Sequence, residues 1–183
     1  MVDIGGFFVP VRSKISIQTL AIVERARLND MPSDWSCSWP RFWEMANFDC
    51  EQIIKLSFEG ELLGLLRYGL YPYPGSPIFL EVTNLETTPT NRLAEPVGRW
   101  LLWYATQTAL RFCSADNDQA LVFLVSLASA VRYYEEKVQM ELLEPVTIAP
   151  GEDGYAFRFS RTAAQDFCRR QQQQWGIPIS INQ

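Results

Sequence analysis

Asn91-Arg92-Leu93-Ala94-Glu95-Pro96-Val97-Gly98-Arg99 and, further on, Ala130-Val131-Arg132-Tyr133-Tyr134-Glu135-Glu136-Lys137 are the stretches that decide how this chain folds. Both lie within residues 78–143, whose pattern reads strand, turn, helix, strand, helix. Residues 78–86 form the first strand, and Thr87-Thr88-Pro89-Thr90 breaks it. Pro96 stands where a helix begins, a position at which its missing N–H costs little. Val97, Leu101, Tyr104, Ala105, Thr108 and Phe112 then give that helix an inward stripe. Ser114-Ala115-Asp116-Asn117-Asp118 is a polar loop before an apolar strand over residues 121–127. Ser129 is placed to cap a helix that carries the two tyrosines to about Val138.

Working outward, residues 52–58 alternate, Glu59-Gly60-Glu61 reads as a hairpin turn, and residues 62–68 are the return strand. Tyr71-Pro72-Tyr73-Pro74-Gly75-Ser76-Pro77 is a loop, because its prolines cannot donate to a strand ladder. Ile17, Leu20, Ala21, Val23 and Leu28 fall at loose helical intervals and predict a helix over residues 15–28, stopped by Asn29-Asp30-Met31-Pro32. Trp35, Trp39, Phe42, Trp43 and Phe48 make residues 33–48 a short helix or loop packed over the core. Residues 155–160 alternate as a late strand, and residues 161–175 have the makeup of a terminal helix with the glutamine run 171–174 at its exposed end. Mixed strands followed by crossover helices argue for an α/β (α+β) fold and against a bundle or a sandwich. The 183 residues suit one domain. It divides into a helical, aromatic-rich part (1–50), a core (52–160) and a C-terminal helix and tail (161–183).

Composition removes several classes of chemistry. The chain contains no histidine, which excludes Ser-His-Asp and Cys-His catalysis and histidine-based metal sites. It has no Walker loop and no GxGxxG. Cys37, Cys50, Cys113 and Cys168 are too widely separated for a zinc site and read as buried thiols. A net charge of −5 argues against a general nucleic-acid binder. No secretory signal opens the chain and no stretch has the length of a membrane span, so the expected location is the cytoplasm.

The turn and the tyrosine helix, in this order, resemble the acyl-CoA-binding half of the GCN5-related N-acetyltransferase (GNAT) superfamily over about residues 52–160. The resemblance implies a mixed, mostly antiparallel central sheet flanked by helices. Members carry a phosphate-binding turn of the form Gln/Arg-x-x-Gly-x-Gly/Ala. Gly98 matches its last small position and is followed by Arg99-Trp100-Leu101-Leu102, whereas Pro96 replaces the middle glycine and Arg92 lies one residue too far upstream. By this match the N–H groups of Val97, Gly98, Arg99 and Trp100 cradle a pyrophosphate at a helix start. Arg92 and Arg99 add charge-assisted contacts, and Leu85 and Thr87 flank the pantetheine arm.

The family's fourth helix commonly reads Ala-x-x-Phe-Tyr-Glu-Lys-x-Gly-Phe. Residues 130–140 follow it with one extra glutamate and with Gln139 for the glycine, which implies that Tyr134 protonates the departing thiolate. Glu81 and Glu86, on the strand before the turn, are the candidate bases for an acceptor amine. The implied activity is transfer of an acyl group from acetyl-CoA, or another acyl-CoA, to a small-molecule or peptide amine, with no nucleic-acid or membrane partner and with room for a homodimer. The alternative, raised by Pro96 and the shifted Arg92, is a catalytically degenerate module that binds CoA or a protein partner.

Overall fold

A computed structural model describes residues 3–13, 18–88, 93–95, 97–149 and 151–181. The chain opens with β1 (Phe7–Ser13) and β2 (Gln18–Arg25), which pair antiparallel. The helix expected over residues 15–28 is therefore a strand where the chain is described. The reason is visible in burial: Val9 and Val11 on β1, and Ala21 and Val23 on β2, are fully buried two residues apart, the period of a strand. The apolar residues at 17, 20 and 28 had imitated a helical stripe.

After α1 (Trp39–Met45), β3 (Glu51–Phe58) and β4 (Glu61–Tyr71) form the expected hairpin. Its turn residues Glu59 and Gly60 have φ of 51° and 81°, as a two-residue turn matched to strand twist requires. Then follow β5 (Phe79–Thr87), β6 (Leu93–Glu95), α2 (Val97–Phe112) and β7 (Val122–Leu127). A helical stretch comes next: a 3-10 turn over Ala128–Ala130 and a π-helical turn over Tyr133–Val138. Ser129 lies inside that first turn and does not cap it; Leu127 holds the cap position with no side-chain bond. The chain ends with β8 (Glu141–Ala149), β9 (Glu152–Phe159), α3 (Arg161–Trp175) and β10 (Ile179–Ser180). Ser160 caps α3, accepting a hydrogen bond from the Ala163 N–H.

The strands form one sheet in the order β10-β1-β2-β3-β4-β5-β7-β9-β8, with β6 paired to β1. Described neighbours are antiparallel except β5 and β7, which run parallel. Their register holds only Leu80–Val122, Glu81–Phe123 and Val82–Leu124. One residue further, β5 bulges: Arg67 of β4 faces Asn84 while Tyr68 faces Val82, which leaves Thr83 as the extra residue.

Helix α2 covers one face of the sheet. A Cβ on Gly64 of β4 would lie 2.8 Å from Leu101 and 2.9 Å from Val97, so the bare glycine seats the first turns of the helix. The Trp100 indole, fully buried, donates to the Pro10 carbonyl at 2.7 Å. Since α3 packs on its outer side, α2 is buried nearly all round, from Arg99 to Thr106, and not along a single stripe. The other face carries a smaller cluster of Ala26, Trp39, Ile53 and Leu65 under Trp35, Phe42 and Trp43. All four cysteines are free thiols, and no helix among the described residues is long and apolar enough to cross a membrane.

Trp100→Phe removes the indole N–H and half a ring from this packed position, leaving the Pro10 carbonyl buried without a donor. The expected loss is about 2–4 kcal/mol of unfolding free energy, read from urea denaturation at unchanged slope.

Candidate functional site

Beyond Val82 and Leu124 the two parallel strands part, and a cleft of about 330 Å³ opens between them. Thr83, Asn84 and Leu85 line one wall, Val125, Ser126 and Leu127 the other. Tyr134 and Ala130 close it from the helical side, and Cys37 meets it from the side of α1. The cleft thus reaches both faces of the sheet. Burial, then the Glu86 carboxylate, pushes the Cys37 thiol up to about 11, so it stays neutral.

Tyr134 is 8% exposed and packs against Phe157 and Tyr133, with ring centroids 5.4 and 5.3 Å away. Burial raises its phenol to about 12, so it is protonated at neutral pH and able to donate. Its carbonyl accepts from the N–H groups of both Gln139 and Met140. Gln139, with φ of 63°, takes the left-handed conformation that ends the helical stretch.

The two candidate bases have different surroundings. Glu81 shares a row across the sheet with Gly69 and Glu51, the glycine standing between the two carboxylates. The Tyr71 ring fills the space that a Gly69 side chain would take. Glu51 is bound to Arg67 at 2.8 and 2.9 Å. Burial, then the charge of Glu51, raises the Glu81 carboxyl above its usual range. Glu81 is not among the residues that line the Tyr134 cleft.

Glu86 accepts from the Ser36 N–H at 2.8 Å, the Cys37 N–H at 3.1 Å and the Trp39 indole at 2.8 Å. Partial burial works to raise its carboxyl, but these donors outweigh that and hold it below the usual value. A carboxylate so fixed anchors residues 36–39 at the cleft and is a poor proton acceptor near neutrality.

The start of α2 lies at the end of the cleft. A Cβ on Gly98 would stand 3.7 Å from Leu85 and Thr87 and 3.4 Å from the Tyr133 hydroxyl. The bare glycine therefore lets β5 and Tyr133 approach the first turn, whose N–H groups have no partner within the helix. Leu85 lines the cleft and Thr87 stands between it and Gly98, whereas the buried Trp100 side chain is committed to the core. Arg99 turns the other way, its guanidinium 5.4 Å from the Trp175 ring. It is 9% exposed, not solvated surface. Arg92 lies outside the described residues.

Sequence reasoning had no means of finding the Thr83 bulge or the role of Cys37, since neither has a residue-type signature. The Trp35–Trp39 segment was legible as packing, but not as the partner of Glu86. Among the described residues no group of side chains could hold a metal ion.

No protein-family model matches the sequence, and no curated protein matches it. Solved structures do match its fold. An uncharacterized protein from Bacillus halodurans aligns with a TM-score of 0.62 at 11% identity, covering 94% of this chain and 98% of that one. A GNAT-family acetyltransferase from Bacillus cereus aligns at 0.55 with 13% identity, covering 78% and 98%. The aminoglycoside acetyltransferase AAC(6')-Ib, in complex with coenzyme A and kanamycin, aligns at 0.57 with 11% identity, covering 80% and 98%. The chain has the fold of the GNAT acetyltransferases, a mixed and mostly antiparallel sheet flanked by helices, as the Gly98 turn and the Tyr134 helix had implied.

Glu86→Gln removes the charge and turns one of the two accepting oxygens into an NH2 donor, so at least one of the three anchoring bonds is lost and the rest weaken. Because the folded carboxyl sits below its unfolded value, the wild-type advantage is complete above the ordinary carboxylate range, near pH 4.3. It fades as pH falls through the depressed folded value. Paired denaturation curves of the two proteins from pH 7 down to pH 3 check this: the gap is about 1–3 kcal/mol at neutrality and closes on acidification.

Proposed function

We propose that the chain is an acyl-CoA-dependent N-acyltransferase, with acetyl-CoA or another acyl-CoA as donor and a small-molecule or peptide amine as acceptor. The observation that carries this reading is the open fork between β5 and β7, with Tyr134 in its wall and the start of α2 at its end. The edge of β5 from Thr83 to Thr87 offers backbone groups to an extended, amide-bearing arm lying in the fork, with Leu85 beside it. The N–H groups of Val97, Gly98, Arg99 and Trp100 suit a pyrophosphate there, and Arg92, assigned by the sequence match to the same motif, would add charge. AAC(6')-Ib, of the same fold, holds coenzyme A together with an amine-bearing drug.

Bound acyl-CoA supplies an activated thioester and a thiol leaving group. Tyr134, kept protonated by its raised pKa, would donate a hydrogen bond to the leaving sulfur. Cys37 meets the cleft from the α1 side, and that side would receive the acyl group and the acceptor nitrogen. Glu81, with its raised pKa, is the base that takes the ammonium proton, directly or through water. Glu86 serves the site by holding residues 36–39 in place.

A second reading has one observation in its favour. The Tyr133 hydroxyl occupies space over Gly98 that a phosphate would need to share. On that reading the fold persists as a module that binds CoA or a protein partner without turnover.

Acetyl-CoA at 100 times its Kd stabilises a binder by about 2.7 kcal/mol, which a thermal-shift assay resolves. Absence of a shift at saturation excludes the acyltransferase and the CoA-binding module and leaves only a module that binds a protein partner. Tyr134→Phe should bind as the parent does and turn over about a hundredfold more slowly, measured by thiol release with a panel of amines. In the parent, kcat/KM should rise with pH through a limb lying above the ordinary carboxylate range, because the raised Glu81 carboxyl must first ionise. Glu81→Gln removes that limb.

A further inference from the structure

The wall of the fork on its α1 side is apolar where it meets solvent. Val122 and Leu124 belong to the main core, so strand alternation points Phe123, Val125 and Leu127 of β7 to the α1 face. Val125 and Leu127 are 39% and 49% exposed, and Ile148 of β8 joins them at 45%. A Cβ on Gly154 would lie 2.5 Å from Ile148 and 2.9 Å from Val125, so the bare glycine lets the two side chains meet over β9. Val125, Leu127 and Ile148 line the cleft that holds Tyr134, together with Cys37, Thr83 and Asn84. Among the described residues, no charged side chain stands in the wall of that cleft. Neighbouring apolar side chains left exposed at a cleft mark a place where a ligand lies.

Of the carboxylates on this face of the sheet near the fork, Glu51 is paired with Arg67, and Glu86 is bound to residues 36–39. Glu81 is left for a cation that arrives from outside. It stands opposite Phe123 in the parallel register, and Thr83 and Val125, two residues further along each strand, line the cleft. A polycation needs several acidic partners, whereas this wall offers one carboxylate at its edge and otherwise hydrocarbon. A peptide would lay its backbone amides against the same hydrocarbon, where they lack partners. We propose that the acceptor is a small primary monoamine with an apolar body, its nitrogen between Glu81 and the thioester and its body along Val125, Leu127 and Ile148. The inference rests on the acyltransferase reading above and names the acceptor class which that reading leaves open. Apolar surroundings also favour the neutral amine over its ammonium, as attack on the thioester requires. As the C–N bond forms and the C–S bond breaks, the nitrogen loses two protons, one to Glu81 and one that balances the departing thiolate.

The test measures thiol release from acetyl-CoA by the full chain, with n-butylamine and n-hexylamine set against spermidine, kanamycin and a peptide with an N-terminal leucine. Between the two alkylamines kcat/KM should rise about three- to fourfold for each added methylene, the factor that burying a CH2 supplies. n-Hexylamine should exceed spermidine, kanamycin and the peptide at least tenfold. Leu127→Ser and Ile148→Ser change exposed positions that the fold tolerates, and each should cut the hexylamine-to-butylamine ratio at least threefold. Equal rates with the two alkylamines, or a preference for spermidine, kanamycin or the peptide, overturn the inference while leaving the acyltransferase reading intact. A ratio unmoved in both variants overturns it as well. Repeating the series with hexanoyl-CoA tells the acceptor from the acyl chain: variants that alter only the acyl-chain preference assign the wall to the acyl group and overturn the inference. No thiol release with any of these amines overturns the acyltransferase reading and this inference together.

Discussion

The parting of β5 from β7 is the constraint on which the rest of the site depends. Each strand is committed to its outer neighbour well past the point of parting: β5 to β4 as far as Thr87–Gly64, and β7 to β9 as far as Leu127–Gly154. Neither can swing inward without breaking an established ladder. The bulge at Thr83 gives β5 an extra residue and a stronger local twist at the place where the parallel pairing stops. The fork is held open from outside by two antiparallel pairs, and past Val82 and Leu124 neither strand has the other as a ladder partner across it. A strand edge so placed has room for an extended segment to pair with it.

The same parting separates the chemistry onto two faces. Tyr134 belongs to the face covered by α2 and the main core, whereas Trp39, α1 and the loop before it belong to the other. Glu86 sits where β5 borders the fork and draws residues 36–39 to it through three hydrogen bonds. Its negative charge explains why one carboxylate can organise two backbone N–H groups and an indole at once, since bonds to an ionised acceptor are the stronger kind. Glu81, five residues earlier, has the opposite surroundings: a neighbouring carboxylate and partial burial. Two glutamates on one strand are thus driven in opposite directions, one toward a fixed anion and one toward a group that can hold a proton.

Much of this was legible in the sequence where a local rule was strong. The Glu59-Gly60 turn, the proline loop, the span of α3 and, apart from the short β6 within the expected turn, the order of elements across residues 78–138 follow from turn chemistry, caps and periodicity. The N-terminal strands were not, because short apolar runs fit both helical and strand periods and only pairing decides between them. The hairpin of β8 with β9 was read only in its second half; Pro145 sits at a register irregularity in β8, where a missing donor is tolerated. The glutamine run looked like solvated surface, yet Gln171 faces inward, since a helix turns each successive residue by about 100° and one of any four must meet the core. The motif singled out Tyr134, which lines the cleft, and Gly98, which lies beside Leu85 and Thr87; the surroundings of Glu86 and Arg99 were not legible. Those depend on partners 47 and more residues away, Trp39 and Trp175.

The extra glutamate in the tyrosine helix shows how the fold keeps Tyr134 at the cleft while tolerating an insertion. In the family pattern four steps separate the tyrosine from the glycine that ends the helix; here five separate Tyr134 from Gln139. A regular α-helix would rotate Gln139 and everything after it by about 100°. The chain instead widens to a π-turn over Tyr133–Val138, and the Gln139 N–H reaches the Tyr134 carbonyl five residues back. The added residue is absorbed within that one turn, and β8 still begins at Glu141. The cost is a non-glycine residue in the left-handed region, of order 1–2 kcal/mol. It is offset locally by the second bond from the Met140 N–H to the same carbonyl and by the burial of Val138 and Met140 on either side. Distortion is thereby confined to the turn over Tyr133–Val138 and to Gln139, and the phenol of Tyr134 lies in the wall of the fork.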